Sequence, residues 1–281
     1  MNRILSFEWA RLRGRRDLYF ILAGFALLVL LREAIALRDI SSLLNDPGIP
    51  LEAAEAQRQA LAAYSASASI GTVVINSAIL LFLLSGFLTC WTLGGEFTSG
   101  TVRTALMSDP RRPRYILGRL VGAAALAVVV VLVSAAVGAT MPAVALSLAV
   151  DVGESAPTLQ VLLFLGAAVL VALFAVSLAG VLTSTIRSPL LSSGAFLGAV
   201  SFGQLLDQPT LPDNIRNLLP MRAISMILES SAPTGAMLPG GGNFAVGASP
   251  LAVDAALVLA GWCLALIAGA VVVFGSRDVR E

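Results

Sequence analysis

Apolar residues in this chain gather in long unbroken runs, not in alternation. A helix needs roughly 20 largely apolar residues to cross ~30 Å of hydrocarbon. Six segments meet that length: Leu18–Leu37, Ile70–Leu93, Tyr115–Met141, Leu159–Leu182, Leu190–Leu206 and Leu251–Phe274. The third is expected to stop near Pro142, and the fourth holds no charged residue. Arg32 and Glu33 interrupt the outer end of the first, where long charged side chains snorkel or pair. The pattern predicts an all-α integral membrane protein with six transmembrane helices, forming a single transmembrane domain over residues 1–281.

The polar intervals are unequal. Between the first two spans, Pro47-Gly48-Ile49-Pro50 precedes a short helical stretch, Leu51–Tyr64. Residues 94–114 are short and dense in turn and charge signals. The longest interval, 207–250, carries a semi-apolar helical stretch, Ile215–Leu228, and the turn-rich run Pro239-Gly240-Gly241-Gly242. At the start, Ile4, Leu5, Phe7, Trp9 and Leu12 fall on one broad arc at helical spacing, with Glu8 and Arg11 spoiling it. Two readings stand for 1–16: an interfacial helix and a basic tail without fixed structure.

Charge sets the orientation, because Arg and Lys accumulate on cytoplasmic loops. With the N-terminus inside, the cytoplasmic segments hold Arg3, Arg11, Arg13, Arg15, Arg16, Arg103, Arg111, Arg112, Arg114, Arg119, Arg187, Arg277 and Arg280. The opposite side keeps only Arg32, Arg38, Arg58, Arg216 and Arg222. An even number of spans then returns the C-terminus to the cytoplasm. The expected location is a cell membrane, inner or plasma, of a bacterial type. A signal peptide ending at Ala34-Ile35-Ala36 is the competing reading of the first span. The long basic region and the Arg32-Glu33 pair favour an uncleaved span.

Composition narrows the chemistry. Hydrophobic residues make up 57% of the chain and charged residues 12%, against about 25% charge in soluble domains. Lipid is the natural solvent for such a chain. All 18 basic residues are Arg. Without Lys there is no Walker A loop and no Schiff base. Without His there is no His-based metal site and no Ser-His or Cys-His pair. Cys90 and Cys263 lie in apolar spans and read as small packing residues. No cofactor and no nucleic-acid partner are expected.

The densest signals lie at Glu96–Arg114. Glu96 closes the second span. Gly100 permits a turn with positive φ, Thr101 is placed to cap a helix Val102–Ser108, and Asp109-Pro110 stops it. Pro113 suits the first turn of the third span. An ordinary tight cytoplasmic turn with its arginines and a small rigid helix-turn-helix at the membrane surface both satisfy this pattern. Within the spans, Asn76 is the most polar side chain; it lines a substrate path or bonds a neighbouring helix. Gly86/Cys90, Gly118/Gly122 and Gly194/Gly198 are small-residue pairs suited to close helix contact.

Glu96, Gly100, Thr101, Pro110, Arg112, Gly118 and Arg119, together with six spans and a long last external loop, resemble the permease subunit of ABC-2-type exporters. The motif covers about 25 residues (Glu96–Arg119), and the layout covers the chain. The resemblance implies a non-catalytic transport subunit that pairs with a second permease, a further copy or a relative. ATP hydrolysis falls to a separate ATP-binding subunit. Residues 94–114 become the coupling loop, with Glu96, Gly100, Thr101, Val102, Arg103, Leu106, Pro110 and Arg112 as its contacts or supports. It also implies an elbow helix at 1–16 and a re-entrant element near Ile215–Leu228. Two other classes remain alternatives: an ion-coupled carrier or channel, and a membrane-embedded lipid-modifying enzyme. The scarcity of mid-span charge disfavours the first. The absence of an activated nucleophile or paired carboxylates disfavours the second.

Overall fold

The computed structural model describes residues 14–44, 68–108, 112–147, 158–207, 212–232 and 250–276. The expected elbow helix, the Leu51–Tyr64 helix, the Asp109-Pro110 stop and the 239–242 run lie outside these residues. The described elements are all helices: α1 (Arg16–Leu44), α2 (Ala68–Asn76), α3 (Ala78–Thr98), α4 (Thr101–Ser108), α5 (Arg112–Ser147), α6 (Thr158–Ile186), α7 (Pro189–Leu206), α8 (Asp213–Arg216), α9 (Pro220–Ser231) and α10 (Pro250–Ser276). Six are long and apolar enough to cross a bilayer, through Arg16–Ile40, Ala78–Thr98, Arg112–Ala145, Thr158–Ile186, Pro189–Leu206 and Val253–Ser276.

The charge-free helix is the hub. α6 packs against α2, α3, α5, α7, α9 and α10. From Val171 to Ser184 its buried residues, Phe174, Ser177 and Gly180 among them, run round the helix, while Leu159, Leu162 and Leu163 near its start are exposed. A helix apolar on all sides can be satisfied only in a core or in lipid. The outer faces carry the complementary sign of a lipid-solvated protein. Phe20, Ile35, Leu190, Leu257 and Leu264 are all more than half exposed. A water-soluble surface does not tolerate so large a continuous apolar area.

Two spans and one helix of the 207–250 interval differ from the sequence expectation. First, α5 does not stop at Pro142 but continues to Ser147. Pro142 has no N–H for the carbonyl of Gly138, four residues earlier. The Ser69 hydroxyl of α2 donates to that carbonyl at 2.9 Å. Gly138 makes this approach possible, since a Cβ there would stand 2.7 Å from the Ile70 Cα. In hydrocarbon a freed carbonyl must find a donor, and a hydroxyl from the neighbouring helix supplies it.

Second, the run read as one span, Ile70–Leu93, is two helices. It breaks at Ser77 (φ −91°, ψ 1°) and runs on to Thr98, so Glu96 belongs to the last turn of α3. Third, the Ile215–Leu228 stretch is not one helix but divides into α8 and α9. Leu219 is extended (ψ 136°), and Pro220 opens α9, because the residue before proline is driven out of the helical region.

The α8–α9 segment also descends beside α10. The Trp262 indole donates to the Leu218 carbonyl at 3.0 Å. Trp262 is nine residues past Val253, which is about 14 Å along the helix axis. The segment climbs back to the start of α6, where Gln160 Nε2 donates to the Ala232 carbonyl at 3.3 Å.

Tight contacts fix the remaining helices. A Cβ on Gly86 would lie 2.1 Å from the ring of Phe196, which is itself packed between Phe82 and Phe87. A Cβ on Gly94 would lie 2.7 Å from the Pro189 Cα, so α3 and α7 meet through backbone near Glu96. Gly194 and Gly198 of α7, by contrast, have nothing within 4 Å. Cys90 and Cys263 are free and buried.

Candidate functional site

Glu96 ends α3 on the same edge of the bundle as α4 and the first turns of α5. Tyr115 and Arg119 of α5 are one helical turn apart and so share a face; that face meets α3. A single oxygen of Glu96, Oε2, accepts the Tyr115 hydroxyl at 2.5 Å and lies 2.8 Å from Arg119 Nε. Glu96 is 4% exposed. The first is a charge-assisted hydrogen bond of the strong kind and the second an ion pair, and both offset the cost of burying a carboxylate.

Aromatic rings extend the cluster to α10. The Arg119 guanidinium sits over the Tyr115 ring, 5.0 Å from its centroid. The other side of the story is Phe274, which stacks with Tyr115 at 5.8 Å and tilts against Phe97 at 6.0 Å. Arg112 Nη1 donates to the Gly275 carbonyl at 3.4 Å. The ends of α3, α5 and α10 are thereby tied at one level.

The connection into α4 is equally constrained. Gly100 has φ +70°, a conformation that a side chain resists. Thr101 is the first residue of α4. Its hydroxyl does not cap that helix: it donates back to the Glu96 carbonyl at 3.3 Å and lies 3.1 Å from Ser99 Oγ. Val102 is buried and Leu106 packs half-buried against the core. Thr104 faces outward with Met107, which is 78% exposed. α4 is thus a short helix anchored along one side and free on the other.

No protein-family model matches this chain, and no curated protein matches it. The site therefore stands on its geometry.

Of the residues named from sequence, Glu96, Gly100, Thr101, Val102, Leu106 and Arg112 gather here. Arg103 lies within α4, but its side chain is outside the described residues, as is Pro110 altogether. Asn76 does not belong to the cluster. It is 18 residues before Gly94 on the α2–α3 path, which places it about 27 Å away at the other end of the bundle. There its Nδ2 donates to Glu33 Oε2 at 3.4 Å, and its carbonyl accepts from Arg32 Nη1. Glu33 does not snorkel; it is 1% exposed.

Sequence reasoning passed over Tyr115, Phe274 and the burial of Glu33. The Tyr115/Arg119 spacing was a usable signal, since an acid ending one span and a basic residue one turn into the next invite pairing. Nothing local marks Phe274. Among the described residues no group of His, Cys, Asp and Glu is suited to a metal. The described contacts of the Glu96 cluster tie the ends of α3, α5 and α10 to one another.

Proposed function

We propose that this chain is the permease subunit of an ABC-2-type exporter, with both termini in the cytoplasm and α4 as the coupling helix for a separate ATP-binding subunit. The observation that carries the reading is the way α4 is mounted. A buried carboxylate, Glu96, held through one oxygen by Tyr115 and Arg119, ties the helix that leads into it to α5, and the Tyr115 ring carries the tie to α10. The helix itself turns Thr104 and Met107 outward. A push on α4 then reaches three spanning helices at once, not a flexible loop. The Glu96-x-x-x-Gly100-Thr101 motif and the absence of any Lys for a Walker A loop support the same assignment. Two permease subunits enclose the path, and lipid covers the rest.

The test is gentle extraction of the tagged chain from its native membrane, with identification of co-purified proteins and an ATPase assay. The reading expects a stoichiometric Walker A protein that is lost in Met107→Asp, a change on the exposed face of α4. Recovery of the chain without any nucleotide-binding partner would sink it. A second reading, an ion-coupled carrier, is favoured by one observation: Glu33 is a fully buried acid within a spanning helix. Transport that persists without ATP and collapses with the ion gradient would select that reading.

A further inference from the structure

We propose that the Ser77 joint is a hinge on which α3 swings, and that Arg32, Glu33 and Asn76 form the clasp that holds it in the state described here. The two helices that meet at Ser77 belong to different neighbours. α2 packs chiefly on α5, and α3 packs chiefly on α6 and α7. A straight span would have coupled these groups; the break uncouples them.

The joint is not simply a bend. Ser77 sits at φ −91°, ψ 1°, in the sparsely used bridge region. The ladder continues on either side, from Ser77 N–H to the Val73 carbonyl and from Leu81 N–H to the Ser77 carbonyl. The Asn76 carbonyl between them is taken by Arg32 Nη1 of α1. The Asn76 side chain reaches the same helix through Glu33. α1 otherwise packs mainly on α5, and these bonds fasten to it the last residue of α2, immediately before the joint. A carboxylate and a guanidinium kept within a spanning helix are costly in lipid, and here they converge on the one discontinuity in the second span. α3 is then a lever with Glu96 in its last turn and, about 30 Å away, a joint whose α2 side is held by the clasp. The driving of that lever through α4 rests on the permease reading above; the hinge and clasp do not.

The test uses the isolated full chain in nanodiscs and needs no partner. Spin labels are placed at Ile35 of α1 and Ile79 of α3, both well exposed, in a Cys90→Ala/Cys263→Ala background. A second pair at Ile79 and Leu205 monitors α3 against α7. The parent gives one narrow distance for each pair. Glu33→Gln/Asn76→Ala adds a second 35–79 distance, its population raised roughly tenfold by loss of charge-assisted bonds, and leaves 79–205 unchanged. Arg32→Gln, a change at an exposed side chain, gives the same second distance should the double variant fail to fold. An unchanged 35–79 distribution in the variants overturns the clasp. Equal broadening of both pairs overturns it too, because it reports general loosening. A clear second distance in a chain that binds no ATPase leaves the hinge standing and removes only its proposed driver.

Discussion

At Glu96 one carboxylate oxygen takes both the Tyr115 hydroxyl and the Arg119 charge. Removing one member of a buried pair strands the other, at a cost of about 3–5 kcal/mol. Glu96→Ala and Arg119→Ala are therefore each expected to destabilise the protein on that scale in mixed-micelle unfolding. The double variant should lose clearly less than their sum, because contacting residues do not act independently. Additive losses would show that the pair is not coupled. Glu96 and Arg119 were each legible in the sequence as motif positions at span ends, but not as a pair, because nothing local sets a contact between two helices. The Tyr115 and Phe274 rings were not, because their contact joins residues from opposite ends of the chain and exists only once α5 and α10 pack. At Glu33 the sequence left snorkelling and pairing both open; the structure has the pairing, with Asn76 of another helix, and a position near a span end did not reveal how deeply the acid is buried.

At the level of elements, polar side chains repair helices that proline or a break has opened. Pro142 deprives the Gly138 carbonyl of a donor, and Ser69 replaces it. Ser69→Ala should then cost about 1 kcal/mol. In a Pro142→Ala background, where the ladder N–H is restored, the same change should cost close to nothing. An equal cost in both backgrounds would show that the hydroxyl serves some other purpose. The existence of six helices long and apolar enough to span followed from length and composition alone; that the charge-free fourth one would be the hub was not read from the sequence. Where spans stop or break did not follow. A proline reads as a terminator until a donor on a neighbouring helix is brought to the exposed carbonyl, and Ser77 carries no local mark of a joint.

For the whole molecule, the helix order itself predicts sidedness. The α3–α4–α5 and α6–α7 connections stand at one end of the bundle, with the starts of α6 and α10 at the other. Single cysteines at Met107, Leu159 and Val253, all exposed, test this in sealed vesicles after Cys90 and Cys263 are replaced. Met107→Cys should react with an impermeant reagent from the cytoplasmic side only, and Leu159→Cys and Val253→Cys from the opposite side only. Labelling of all three from one side would break the six-span topology.

The spanning helices are of very unequal height. α7 has 18 residues against 29 in α6 and 36 in α5, or about 27, 44 and 54 Å of rise. α9 leans mainly on α10 and α6 and leaves α7 largely uncovered. The outer wall is therefore lowest along α7. A bilayer adjusts to a short wall by thinning beside it, at fractions of a kcal/mol per Å. The cost of mismatch with a thicker bilayer is therefore expected to fall first on the α7 flank.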